Sequence, residues 1–347
     1  MQNSFFFMRT AIITPTFSKF SGIDRFIEQK VKKLPKKGEV TIIAFKGDIE
    51  IKGADVIYVG APSNSLLERL YRLFFFLDII KIIKILNKIK NYDAVECHIY
   101  PATIIGCLAK MLYKKKYIYY NEGIADPQLF SNVFERCYMR LFTFFNNLTI
   151  RNADEIYSIS KFLSNELRRQ TGLMSKLEYV EIDKKRFNKE VSRNTGKIKQ
   201  IKNKYHVKGP LLIYIGRISP HKGIHLLIEA FNIVAKSMPN AKLLIIGKHT
   251  FGNYTKSLKK LIKSRSIVFT GFIPDEEIPY YYAACDLYVT ASLWEGFDIP
   301  IKEANAIGKN VVAFNIGPHE EIIEKGILVK KGDIKGFAHA IIKVLGD

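Results

Sequence analysis

With 347 residues, 48% of them hydrophobic, the chain is long enough for two domains of ordinary size and apolar enough for a core in each. Its formal charge of +21 is spread, since residues 1–190 hold 31 Lys+Arg against 20 Asp+Glu and the remainder 23 against 13. Charge alone therefore excludes neither half as an ordinary domain and marks neither as a nucleic-acid or membrane face; attraction to a small anionic ligand or anionic lipid fits it equally, as does a Lys- and Ile-rich composition. Four cysteines, Cys97, Cys107, Cys137 and Cys285, lack paired metal spacing and read as buried thiols of a reducing cytoplasm.

Strand-like and helix-like segments alternate throughout, which predicts an α/β chain with a doubly wound parallel sheet in each half. The start, Met1 to Met8, has Phe5-Phe6-Phe7 with no basic residue ahead of it and is a poor signal peptide. Arg9 to Thr14 reads as the first strand, followed by a loop through Ser21-Gly22 and a helix ending near Lys33. Strands follow at 40–45 and 55–59. Next comes the most amphipathic segment, Leu66 to Lys90, where charges recur too often for a spanning helix of about 20 apolar residues. It reads either as a helix packed on the sheet or as a basic, aromatic surface that rests on anionic membrane and reaches a lipid-linked acceptor.

Asp93 to His98 is a strand that ends in His98 at a carboxyl edge, and Lys116 to Tyr120 leads into Asn121-Glu122-Gly123 at another. His98 and Glu122 stand at these two edges as candidate site residues. Phe130 to Ile150 predicts a long aromatic helix, and Ser160 caps the next one. From Asp183 to Lys208 the chain turns polar and basic, so the expected domains are 1–190, a basic linker 191–208, and 209–347.

In the second half a buried strand, Leu211 to Ile215, ends at Gly216, and a loop carries Arg217 and Lys222 into a helix beginning near Gly223. Arg offers a planar fork to phosphate oxygens and Lys a mobile point charge, a pair suited to a diphosphate. A later strand, Asp286 to Thr290, leads into Trp294-Glu295-Gly296-Phe297-Asp298-Ile299-Pro300, where Pro300 opens a helix. That helix N-terminus favours a phosphate, and Glu295 and Glu303, eight positions apart, can each accept from ligand hydroxyls, Glu303 from a ribose.

The pattern Gly-Arg-x4-Lys-Gly (Gly216 to Gly223) followed by Glu-x7-Glu (Glu295 to Glu303), with Phe269-Thr270-Gly271-Phe272-Ile273-Pro274 between, resembles the retaining family 4 glycosyltransferases of the GT-B fold. The likeness covers about residues 208 to 345. It implies two Rossmann-like doubly wound parallel-sheet domains facing across a cleft, the first on the acceptor side. It also implies that Arg217 and Lys222 hold the donor diphosphate, Glu303 the ribose and Glu295 the donor sugar hydroxyls, with Gly216, Gly296, Phe297, Asp298 and Ile299 lining the donor. Gly317-Pro318-His319-Glu320-Glu321 resembles the family's later donor-side loop. The family usually has Gly where this chain has Asp298, which can cap the following helix.

The reaction so implied moves a hexose from a nucleotide diphosphate to a hydroxyl of a glycan or lipid-linked glycan with retained configuration, in the cytoplasm or at the cytoplasmic membrane face. No Asp-x-Asp occurs in the chain, so no metal-clamped diphosphate and no required cofactor are expected. The competing class is a sugar-nucleotide-binding module without turnover, motivated by Asp298, by Asn121 where the family commonly has His, and by an end at Asp347 where family members generally continue. Nucleic-acid binding lacks an aromatic stacking motif or basic recognition helix, and a Rossmann dehydrogenase lacks Gly-x-Gly-x-x-Gly.

Overall fold

The computed structural model describes residues 8–18, 22–32, 40–130, 132–248 and 252–346. The Phe5-Phe6-Phe7 start and the Ser21 end of the first loop lie outside the described residues. Contacts divide the chain into two units, Met1–Glu181 and Ile182–Asp347.

The first unit carries β1 (Thr10–Phe17), β2 (Val40–Gly47), β3 (Asp55–Tyr58), β4 (Ala94–His98), β5 (Lys116–Asn121), β6 (Glu155–Ser158) and β7 (Lys176–Leu177). Their order in the sheet is β3-β2-β1-β4-β5-β6-β7, and every pair is parallel. The second unit carries β8 (Leu211–Ile215), β9 (Lys242–Ile246), β10 (Ile267–Gly271), β11 (Leu287–Thr290), β12 (Asn310–Asn315) and β13 (Gly326–Lys330) in the order β10-β9-β8-β11-β12-β13, again all parallel. Near-continuous apolar runs such as Leu-Leu-Ile-Tyr-Ile in β8 are what a parallel strand covered on both faces requires. Each sheet has its own core, around Ile13, Ile85 and Tyr117 in the first unit and around Leu227, Phe231 and Phe337 in the second.

In both sheets the chain winds outward from one strand and then returns to its other side. β1 lies between β2 and β4, and β8 between β9 and β11. The carboxyl ends of β1 and β4, and those of β8 and β11, therefore lie side by side at a reversal of strand order, the place where doubly wound sheets take ligands.

Three expectations change. The stretch 191–208 is not a linker between domains, because Thr195–Lys204 is a helix and it packs on Ile278–Ala284 inside the second unit. The amphipathic segment is broken into the helices Ser65–Leu73 and Ile79–Ile89, since Phe75 turns fully into the core between them and Asp78 caps the second by accepting from the Lys81 amide. Of the thiols, Cys97 and Cys285 are buried but Cys137 is exposed, on the outward face of the helix Val133–Ile150.

Candidate functional site

The loop after β8 makes one turn at Pro220–Lys222 and reaches Gly223, which precedes the helix Ile224–Ser237 at φ 63°. A Cβ there would lie 1.8 Å from the carbonyl oxygen of Ala291, so only glycine lets this loop touch the one leaving β11. The two are also joined by the Leu293 amide donating to the His221 carbonyl at 2.8 Å. This contact places Lys222 Nζ 2.5 Å from Glu295 Oε1, which also accepts from the Ser292 hydroxyl at 2.7 Å. Both side chains of the ion pair are largely buried.

His221 reports the local field: burial first, then the charges of Lys222 and Arg217, push its imidazole down to about 3. Two cations thus act on one small volume. Arg217 itself is exposed, with its backbone carbonyl held by the Tyr214 hydroxyl at 3.1 Å. Glu303 is buried in the helix Ile299–Ala306, where Tyr282 donates to its Oε2 at 2.9 Å. Gly296 and Phe297 are buried in the connecting loop and Ile299 begins the helix.

Asp298 does not cap that helix as expected. It sits at φ 70°, ψ 67°, and from this left-handed conformation its carboxylate turns away from the helix amides to accept from His319 Nε2 at 3.0 Å. His319 Nδ1 meets the Phe314 carbonyl at 2.8 Å. Burial lowers the His319 pKa, but the Asp298 carboxylate, the Phe314 carbonyl and the Glu295 charge outweigh it and hold the ring above its ordinary value. A hydrogen-bonded Asp298–His319 pair therefore occupies the place where the resemblance led to the expectation of glycine.

In the first unit, His98 is fully buried between two carboxylates, with Nδ1 2.7 Å from Glu122 Oε1 and Nε2 3.0 Å from Glu96 Oε1. Lys30 reaches Glu96 at 2.6 Å and the Tyr120 hydroxyl at 2.7 Å, and Tyr120 stacks on His98. Burial alone would lower the imidazole, yet Glu122 and Glu96 raise it to about 9; burial would raise Glu96, yet Lys30 and His98 hold it at about 2. With both ring nitrogens taken by buried carboxylates, His98 braces Glu122 and Glu96.

Glu122 differs, because its Oε2 is buried with no hydrogen-bond partner. The same holds for Oδ1 of Asp24, on the helix Gly22–Lys32, whose other oxygen is held by the Ser18 amide at 2.8 Å. Burial, with the Glu122 charge adding to it against the Ser18 hydrogen bonds, pushes Asp24 up to about 7. Buried acceptors left unpaired demand an explanation, and a hydroxyl-bearing ligand supplies one.

The structure thus joins Lys222 to Glu295 and His98 to Glu122, while Glu303 accepts from Tyr282. Sequence reading missed Asp24, Glu96 and Lys30. Asp24 carried a faint signal as an acid in the first turn of the first helix; Glu96 and Lys30, 66 positions apart, carried none.

Comparison with known proteins bears on the whole chain. The model for glycosyl transferases group 1 matches residues 196–347 and that for Glycosyltransferase Family 4 matches residues 20–181. An O-antigen chain mannosyltransferase B of Escherichia coli is 30% identical over 140 residues, 39% of this chain and 36% of that protein. Mannosylfructose-phosphate synthase of Agrobacterium fabrum is 30% identical over 121 residues, 32% of this chain and 27% of that protein, so the matched region is about a third of the length of these relatives. Among solved structures, HepE of Anabaena in complex with UDP and glucose matches with a TM-score of 0.80 at 22% identity, covering 98% of this chain and 90% of that one. That likeness establishes the GT-B fold. With both halves matched by glycosyltransferase family models, the chain belongs to the group 1, family 4 glycosyltransferases.

Proposed function

We propose that the protein is a retaining glycosyltransferase that moves a hexose from a nucleotide-diphosphate sugar to a hydroxyl of a glycan or lipid-linked glycan, with no required metal. The observation that carries this reading is the Lys222–Glu295 contact at the β8/β11 strand reversal, where Lys222, which with Arg217 bears on the buried His221, adjoins a hydroxyl-accepting acid. HepE, solved with UDP and glucose, and the two mannose-named relatives support a nucleotide-linked hexose as donor.

In this mechanism the bond from the anomeric carbon to the phosphate oxygen breaks, and its electron pair leaves with the diphosphate. Arg217, Lys222 and the N-terminal end of Ile299–Ala306 offset the charge that develops there. The acceptor oxygen bonds to the anomeric carbon on the same face, and its proton passes to the departing phosphate oxygen. Glu303 accepts from the ribose and Glu295 from the transferred sugar. Glu122, braced by His98, offers Oε2 to a hydroxyl of the acceptor.

A panel of UDP-, GDP- and ADP-hexoses, read by melting temperature and by nucleotide release with and without acceptor alcohols, tests the proposal. One donor should raise the melting temperature and release nucleotide. Stabilisation without release by any donor would leave a binding module, and no stabilisation by any of them would reject the donor site.

A further inference from the structure

Among the described residues 21 large hydrophobic side chains are exposed, and all but Phe272 belong to the first unit. Fourteen of them fall within 66–83 and 133–148, too concentrated for the scatter of single apolar residues normal on a protein surface. On the helix Val133–Ile150, exposed Val133, Cys137, Leu141, Phe144 and Leu148 recur at helical spacing, while Phe142, Asn146 and Ile150 are buried on the opposite side. Leu66, Leu70 and Phe74 form a second outward row. The two rows are held side by side by Arg69 on Glu135 at 3.3 Å and by the Phe76 and Phe145 rings at 5.5 Å. Ile79, Ile80 and Ile83 extend the surface along the start of Ile79–Ile89.

Charge decides what covers this face. Lys and Arg outnumber Asp and Glu six to two over 65–90 and three to one over 133–151. The few acids are engaged: Glu68 with Arg72 and Lys46, Glu135 with Arg69, and Asp78 in capping its helix and binding Tyr71. Lys84, Lys88 and Arg140 are exposed around the apolar rows. A second copy of the chain would bring two +21 molecules together through like-charged rims. No helix among the described residues is long and apolar enough to cross a membrane. An apolar face with a basic rim instead suits a surface that is oily inside and anionic at its boundary.

We propose that this face of the first unit docks on an anionic phospholipid bilayer, with Phe134, Leu77 and Ile80 entering the headgroup–acyl boundary and Lys84, Lys88 and Arg140 meeting lipid phosphates. Docking stands whether or not the chain transfers sugar, because its test contains no nucleotide sugar. The full chain is floated with vesicles of phosphatidylcholine alone or with 30% phosphatidylglycerol, at low and at physiological salt (roughly 0.15 M). The natural chain should float with the anionic vesicles and bind phosphatidylcholine at least ten-fold more weakly. Leu77→Gln/Ile80→Gln/Phe134→Gln, all at exposed positions, should keep its melting temperature and lose flotation at least ten-fold; Lys84→Gln/Lys88→Gln/Arg140→Gln should lose it as salt rises. Failure of the natural chain to float at low salt, equal flotation of the apolar variant, or a dimer in sedimentation that the apolar variant dissolves, each overturns the proposal.

Discussion

At φ 70° Asp298 holds a backbone conformation that costs an ordinary residue about 1 kcal/mol or more and glycine nothing. The family's glycine is thereby explained as a backbone requirement, and the aspartate is tolerated because His319 takes up its charge. The folded pKa of His319 lies above 6.5, so the pair contributes stability that is fully present below about 6.5 and is lost as pH rises through the raised value. Asp298→Asn keeps a short side chain and an acceptor while removing the charge. Its loss of about 1–3 kcal/mol near pH 6 should shrink as pH rises; urea unfolding across pH 5.5–9 reads this, and a deficit flat with pH means the imidazole carries no extra proton. Lys222 bears on turnover instead. If it and Arg217 stabilise the departing diphosphate, Lys222→Ala or Arg217→Ala lowers kcat by about 100-fold or more, whereas Glu303→Gln chiefly raises the donor KM. Unchanged turnover in both cation variants rejects the phosphate role.

Loops rather than single side chains assemble the second-unit site, and Gly223 is where they touch. Gly223→Ala adds a methyl at 1.8 Å from the Ala291 carbonyl in a left-handed conformation, so one loop must move. A stability loss of about 2–3 kcal/mol by urea unfolding, together with loss of donor-induced stabilisation, is expected; a variant that still binds donor with native affinity shows that the loops need not meet. The strands and helices of this unit were legible in the chain because each carries a local period, and Gly216 to Gly223 and Glu295 to Glu303 were legible because their residues are neighbours in sequence. Strand order was not. Nothing local says that β11 lies beside β8 in the sheet, with 71 residues between them in the chain, and that adjacency is what makes Lys222 meet Glu295. Glu96 and Lys30 were hidden for the same reason, since their ladder with His98 exists only once β1, β4 and β5 and the helix after β1 are packed together. The exposed row on Val133–Ile150 was read as a merely aromatic helix, because apolar spacing shows a face without showing whether it points inward.

Among the described residues the cores of the two units share no residue: one cluster runs from Leu212 to Ile341, and the others lie before Glu181. Ligands that bind only one unit then couple to the other only as far as the units unfold together. The proposed donor residues all lie in Ile182–Asp347, so on that proposal a nucleotide sugar at 100 times its Kd adds about 2.7 kcal/mol to that unit and raises its midpoint by roughly 5–10 °C. Scanning calorimetry should show two transitions, of which the nucleotide moves one, and Lys222→Ala abolishes that movement while leaving the other transition in place. Anionic vesicles should act on the transition that the nucleotide leaves unmoved, because the apolar, basic face belongs to Met1–Glu181. A single transition that nucleotide shifts as a whole would mean that the halves melt as one cooperative body despite their separate cores. Movement of the first-unit transition by nucleotide alone would place the donor on the wrong sheet and with it reject Arg217, Lys222, Glu295 and Glu303 as its ligands.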